Sequence, residues 1–196
     1  MKDVLSNFFV ESYVNTTPTH YYSGVELKTA TCDNTDVAEV GFVGRTLLNA
    51  FNALEYGSQQ NRPELVNSAN SIFDTYLTNG FSPAGFFNEV VHYNRDFKEA
   101  NLSIRRQSEG VYAILNYLDY EKQHKRKHPE WEKRLKVILD SFLRLQNADG
   151  SFPRKFKDDF SIVDGTGGST PSATLPLVMA YKYFKDKRYL ESAKRT

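Results

Sequence analysis

The segment from residue 146 to residue 152 decides the fold of this chain, because it ends a helix in a distinctive way. It has the sequence Gln146-Asn147-Ala148-Asp149-Gly150-Ser151-Phe152. Glycine adopts the left-handed conformation that commonly follows the last turn of a helix, and an aspartate tolerates the same bend. Apolar residues three and four apart precede it: Trp131, Leu135, Ile138, Leu139, Phe142 and Leu145. With Pro129 at the first helical position, they predict a helix that begins at Pro129 and is stopped by Asp149-Gly150.

The same helical spacing of apolar residues recurs on both sides of this helix. It predicts a first helix from Asp36 to Gly57, in which Asp36 and Glu39 form a capping box. Pro63 opens a second helix, which Asn79-Gly80 ends. Further helices are predicted from Ser103 to Gln123, from Thr170-Pro171 to Phe184, and from Lys187 to Arg195.

These six helices form three helical hairpins of similar length. Equivalent points lie at Gly44, Gly110 and Ala173, so the repeat is roughly 65 residues long. The predicted fold class is therefore all-α. Within residues 1–35, the runs 8–14 and 21–28 are rich in β-branched and aromatic residues and are separated by Thr17-Pro18. This predicts an extended N-terminal segment or a short hairpin ahead of a helical domain at 36–196.

The connections between these helices differ greatly in length. Connections within a hairpin are short, at residues 58–62, 124–128 and 185–186. Connections between hairpins are long, at residues 81–102 and 151–169, and the segment 32–35 that leads into the first helix lies at the same end. Long connections gathered at one end of a helical scaffold are where function usually resides, so we expect the site there.

The hairpin endings resemble those of a known superfamily. The segment 146–152 is similar to the Q-x-x-D-G-[ST]-[FW] ending of many (α/α) toroid proteins, which include terpene cyclases and carbohydrate-active six-hairpin enzymes. The run from Asp186 through Arg188-Tyr189-Leu190 to Ala193 resembles the endings of six-hairpin glycosidase-like and sugar-epimerase-like domains. The acidic D-x-D-D motif of terpene cyclases is absent. The resemblance implies a carbohydrate-active toroid and a periplasmic or extracellular location.

A closed toroid of this kind has six hairpins, and this sequence carries three. We therefore expect either self-association or a missing C-terminal half, because half a toroid exposes apolar helix faces.

Four residues in the long connections, or at the helix start that follows one of them, are candidates for catalysis. Cleavage of a glycosidic bond needs two carboxylates, for which Glu89, Glu109 and Asp164 are candidates, while elimination from a uronate needs a base such as His92. Each has a structural alternative. Glu109 is suited to stabilising a helix N-terminus, Asp164 precedes a glycine as turn residues do, and His92 is a histidine that a loop could simply hydrogen-bond.

Further residues of the same connections are suited to binding a sugar. Aromatic rings stack on pyranoses, arginines bind acidic groups, and a helix N-terminus attracts anions. The candidates are Phe87, Tyr93, Arg95, Arg105, Arg106, Ser169 and Thr170. Positive charge is unfavourable at the start of a helix, so Arg105 and Arg106 serve either a bound carboxylate or internal ion pairs.

Composition excludes several other classes of function. The net charge is +1, which argues against nucleic acid, and no apolar run is long enough to span a membrane. Cys32 is the only cysteine, and the sequence predicts neither a metal site nor a cofactor. Two functions remain. One is a glycoside-hydrolase-like domain that acts on or binds an oligo- or polysaccharide, acidic in view of its arginines, with a polysaccharide lyase favoured less. The other is a non-catalytic helical module that binds a glycan or a protein.

Overall fold

The computed structural model describes residues 25–26, 31–32, 37–41, 46–92 and 100–196. Of the predicted extended N-terminal segment, it describes only the two short strands β1 (Val25–Glu26) and β2 (Thr31–Cys32). These strands pair antiparallel, with Val25 opposite Cys32.

The described residues contain six α-helices, which confirms the all-α fold class. Three of them begin at Pro63, Pro129 and Pro171, because proline lacks the N–H that would have no partner within the first turn of a helix. The helices are α1 (Thr46–Gln59), α2 (Pro63–Asn79), α3 (Ile104–Gln123), α4 (Pro129–Leu145), α5 (Pro171–Phe184) and α6 (Lys187–Arg195). Gly150 has the expected positive φ of +89°, but it does not end α4: the helix stops at Leu145 with Gln146 as its C-cap, and Gly150 closes the turn that follows by donating its N–H to the Asn147 carbonyl.

The helices form two layers. In the inner layer α3 lies between α1 and α5, while α4 packs against both α3 and α6 in the outer layer. Trp131 of α4 is only 1% exposed and contacts Phe73 of α2 edge to face, with ring centroids 6.3 Å apart. Phe73 in turn stacks on Tyr117 of α3 at 3.9 Å, so aromatic contacts join the two layers.

The first helix does not begin at Asp36, as the sequence predicts, because the residues that directly follow Asp36 form a strand. Residues 37–39 form the strand β3 (Val37–Glu39), which pairs antiparallel with β4 (Val90–His92). The predicted capping role of Glu39 is therefore wrong, and α1 starts at Thr46. Gly57 does not end α1 either. It lies inside the helix, where a Cβ atom would come within 2.9 Å of the Leu65 Cβ, so it permits close packing of α1 on α2.

A small antiparallel sheet lies in the long connections that the sequence analysis left as loops. It consists of β5 (Leu102–Ser103), β6 (Lys155–Phe156) and β7 (Ile162–Asp164), in that order. Leu102 and Phe156 lie opposite each other and are buried. Ser103 lies opposite Lys155, and Lys155 lies opposite Asp164, so these three residues share the other face.

At the opposite end, a buried carboxylate fixes the short connection between α3 and α4. Glu121 is 4% exposed and accepts hydrogen bonds from Arg126 Nε at 2.8 Å and from His128 Nε2 at 2.7 Å. Burial raises the pKa of the Glu121 carboxyl, but the hydrogen bonds from Arg126 and His128 outweigh it and hold the pKa below its usual value. Residues 125–127 are all basic, and the arginine among them, Arg126, thus forms an ion pair with Glu121 that stabilises the fold.

Replacing Glu121 by glutamine should lower the free energy of unfolding by about 2 kcal/mol at neutral pH, because it removes charged hydrogen bonds. The pKa of Glu121 is lower in the folded protein than its value of 4.5 in the unfolded chain. Such a carboxyl contributes its full stabilisation to the fold above pH 4.5, and this contribution is lost as the pH falls through the pKa of the folded state. Urea unfolding of both proteins should therefore show a difference at pH 7 that shrinks towards pH 3. The exposed Glu55→Gln variant is the control, and a pH-independent difference would contradict the expectation.

Among the described residues, every helix is too short or too polar to cross a lipid bilayer.

Candidate functional site

The structure places a cleft of about 300 Å³ at the end of the long connections. We call it the rim cleft. It lies where the start of α3, the small sheet and the segment before α5 converge. Its lining residues are Asn101, Ser103, Arg105, Arg106, Arg154, Lys155 and Ser169. Four of these seven side chains are cationic, so the cleft is suited to an anionic group that also offers hydroxyls to Ser and Asn.

Each arginine of the rim cleft is paired with one of the carboxylates that the sequence singles out. Arg105 Nε lies 3.2 Å from Glu109 Oε1, and Arg154 Nη1 lies 3.2 Å from Asp164 Oδ2. Arg106 Nη1 lies 3.6 Å from Glu89 Oε2. The internal ion pairs considered for Arg105 and Arg106 are thus present, and the same arginines also line the cleft. Lys155 has no ion-pair partner within the ranges that the structure describes.

The side chain of Asp164 is a quarter exposed and also closes a local turn. It accepts hydrogen bonds from the Thr166 hydroxyl at 2.6 Å and from the Thr166 N–H at 3.0 Å. These two bonds, followed by the Arg154 guanidinium, hold the pKa of the Asp164 carboxyl below its usual value. Asp164 therefore remains ionised at neutral pH and is unsuited to donating a proton.

Glu109 and Glu89 differ sharply in exposure. The Glu109 side chain is 20% exposed and lies one turn beyond Arg105 on α3. Glu89 is 1% exposed, and its Oε1 accepts hydrogen bonds from the Ser103 N–H at 2.6 Å and from Gln107 Nε2 at 2.9 Å. A side chain so deeply enclosed does not reach a ligand in the cleft.

Two candidate binding residues have structural positions instead. Phe87 is 1% exposed and stacks on Phe81, with ring centroids 5.3 Å apart, so its ring is not available to a sugar. Thr170 is 7% exposed, and its hydroxyl accepts a hydrogen bond from the Phe152 N–H at 2.9 Å. Of the others, Ser169 lines the rim cleft.

Three candidates are described only in part or not at all. The backbone of His92 ends strand β4, opposite Val37. Tyr93 and Arg95 lie outside the described residues.

Two cations of the rim cleft, Arg154 and Lys155, are not among the binding candidates predicted from the sequence. Residues 154–157 read Arg-Lys-Phe-Lys, and Phe156 is fully buried. In a strand, successive side chains point to opposite faces, so a buried Phe156 places Lys155 on the face of the cleft. This alternation is a signal that could have identified Lys155, though not Arg154, which precedes the strand. Within the described parts of the chain, no group of three His, Cys, Asp or Glu side chains is arranged to hold a metal ion.

Solved structures of the same architecture cover nearly the whole chain. A D-mannose isomerase superposes with a TM-score of 0.71 at 13% identity, over 97% of this chain and 46% of that one. A cellobiose 2-epimerase from Spirochaeta thermophila DSM 6192 gives a TM-score of 0.70 at 12% identity, over 99% and 52%. The chain has the fold of about half of an (α/α) toroid. The resemblance to the six-hairpin glycosidase superfamily is thereby confirmed at the level of the fold.

A third toroid extends the comparison. A possible member of family GH105 from Salmonella enterica subsp. enterica serovar Paratyphi A superposes with a TM-score of 0.67 at 15% identity, over 84% of this chain and 44% of that one. The chain spans about half the length of the structures it matches. No family model matches the sequence, and no curated protein matches it.

Proposed function

We propose that this toroid is a carbohydrate-active domain that binds an acidic oligo- or polysaccharide in the rim cleft. The observation that carries the proposal is the convergence of four cations, Arg105, Arg106, Arg154 and Lys155, on one cleft whose other lining residues are Ser and Asn. Guanidinium groups bind carboxylates through paired hydrogen bonds, and the neutral side chains supply partners for sugar hydroxyls. The solved structures named as a D-mannose isomerase and a cellobiose 2-epimerase support a saccharide as the ligand, while its acidic character rests on the cations of the cleft alone.

A hydrolytic reaction is the activity we propose for this site. It requires two carboxyls, one of which donates a proton. Glu109 and Asp164 are retained for these roles, because their side chains are 20% and 25% exposed and their arginine partners both line the rim cleft. The lowered pKa of Asp164 suits it to the ionised role, and Glu109, which pairs with Arg105, is the second carboxyl that we propose for the reaction.

Binding of matched acidic and neutral oligosaccharides tests the proposal. By isothermal titration calorimetry, an oligouronate should bind at least about tenfold more tightly than a neutral oligosaccharide of equal length, and its affinity should fall as salt rises. Lys155→Ala should weaken oligouronate binding. Lys157→Ala is the matched control, because Lys157 is exposed but does not line the cleft.

Release of new reducing ends from the bound oligosaccharide tests the hydrolytic step. Product formation that Glu109→Gln abolishes would support it. Binding without turnover would leave the non-catalytic binding module as the function, and equal affinity for neutral and acidic sugars would overturn the proposed substrate class.

A further inference from the structure

The enclosed carboxylate of Glu89 contacts two residues that line the rim cleft. One oxygen, Oε1, accepts the Ser103 N–H at 2.6 Å, and the other, Oε2, lies 3.6 Å from Arg106 Nη1. We infer that Glu89 is a positioning residue, which holds Ser103 and Arg106 in place on one side of the cleft without meeting the saccharide. This inference rests on the proposed function of the cleft.

Burial excludes direct contact between Glu89 and a ligand. Its side chain has no exposed surface, whereas the side chain of Arg106 is 22% exposed. The arginine therefore stands between the carboxylate and the cleft. A buried carboxylate is costly unless it accepts hydrogen bonds and faces positive charge, and Glu89 does both.

A second buried side chain fixes the carboxylate itself. Gln107 is fully buried, and its Nε2 donates to Glu89 Oε1 at 2.9 Å. The same amide pairs with the backbone of Phe87, since Nε2 donates to the Phe87 carbonyl and Oε1 accepts from the Phe87 N–H, both at 3.0 Å. Gln107 thus joins the first turns of α3 to the segment that carries Glu89, and the carboxylate has one orientation.

The backbone around Glu89 is held from the other side as well. The Val40 N–H donates to the Glu89 carbonyl at 3.0 Å, next to the pairing of β3 with β4. A Cβ atom on Gly41 would come within 2.8 Å of the Arg106 Cα, so the chain after β3 lies directly against the first turn of α3. The backbone of Arg106 is consequently fixed against this segment, while its guanidinium faces Glu89.

Glu89→Gln isolates the positioning effect, because glutamine has the same shape. Its carbonyl oxygen still accepts from Ser103 and Gln107, while the negative charge opposite Arg106 is lost. Oligouronate affinity should fall by about tenfold, which corresponds to a coupling within the range usual for contacting residues. Circular dichroism and the urea midpoint serve as the check that the fold is retained.

A double-mutant cycle shows whether Glu89 acts through Arg106. In the background of Arg106→Ala, the Glu89→Gln change should alter oligouronate affinity by less than about twofold. Glu109→Gln is the matched control, because Glu109 pairs with Arg105. Whatever change in oligouronate affinity this variant causes should be the same with and without Arg106→Ala. Equal losses from Glu89→Gln in both backgrounds, or no loss in either, would overturn the inference.

A measurement without ligand separates this inference from the proposed function. The Nε–H resonances of the arginine side chains can be assigned by single Arg→Lys variants. Glu89→Gln should shift the Arg106 resonance and Glu109→Gln the Arg105 resonance. An unmoved Arg106 signal would refute the positioning role whether or not a saccharide binds. Conversely, a shifted signal in a protein that binds no oligouronate would refute only the proposed function.

Discussion

Replacing Trp131 by alanine should lower the free energy of unfolding by about 3–5 kcal/mol, the usual cost of removing a large aromatic side chain from a core. Trp131 is 1% exposed and contacts both Phe73 and Phe81, with ring centroids 6.3 and 6.1 Å apart. Its Nε1–H has no acceptor among the residues that the structure describes, so lost packing rather than a lost hydrogen bond accounts for the effect.

Urea unfolding followed by circular dichroism measures this loss. Because domains are stable by only about 5–15 kcal/mol, the variant should unfold at a much lower urea concentration. The control is Lys133→Ala, an exposed position on the same helix, which should stay within about 0.5 kcal/mol of the parent. A Trp131→Ala loss below about 1 kcal/mol would contradict the contact between α2 and α4 described above.

Replacing both Arg105 and Arg106 by alanine should weaken oligouronate binding by at least about 100-fold, since each charged hydrogen bond contributes about 1.5–3 kcal/mol. The affinity for a neutral oligosaccharide and the helical circular dichroism spectrum should change little. Both side chains line the rim cleft, and neither lies in the helical core.

The double variant Arg134→Ala/Arg144→Ala is the matched control for this experiment. It removes the same charge from the outer helix α4, where these arginines lie over the rings of Phe81 and Phe160. Its oligouronate binding should stay near that of the parent. If the Arg105/Arg106 variant keeps its affinity, the two arginines serve only the ion pairs with Glu109 and Glu89.

The helices were predictable because their boundaries are local. Pro63 and Pro129 begin helices, and Gly80 and Gly150 follow helix ends, so each boundary is specified within a few residues of sequence. The strand at 37–39 was not predictable in this way. Val37, Val40 and Val43 fit a helical period, but the pairing of Val37 with His92 is a contact between distant segments, which no local pattern reveals.

The candidate site was likewise predictable only where it depends on local sequence. The starts of α3 and α5 were predicted, so Arg105, Arg106 and Ser169 were placed correctly at the end of the long connections, and all three line one cleft. The burial of Phe87 and Glu89 depends on how segment 86–89 packs against α3, which sequence spacing does not show. The self-association, or missing C-terminal half, that three hairpins of a six-hairpin toroid lead us to expect stays a prediction.

The side chain of Gln107 has a consequence for how this sequence can vary. Its amide donates a hydrogen bond to the Phe87 carbonyl and accepts one from the Phe87 N–H. These are the two hydrogen bonds that a residue of a neighbouring β-strand would form with Phe87. Glutamate would bring a second acceptor against the Phe87 carbonyl and Glu89, asparagine is one methylene too short, and an aliphatic residue leaves that peptide unsatisfied. We therefore expect position 107 to tolerate few substitutions, although its side chain is fully buried and does not line the rim cleft.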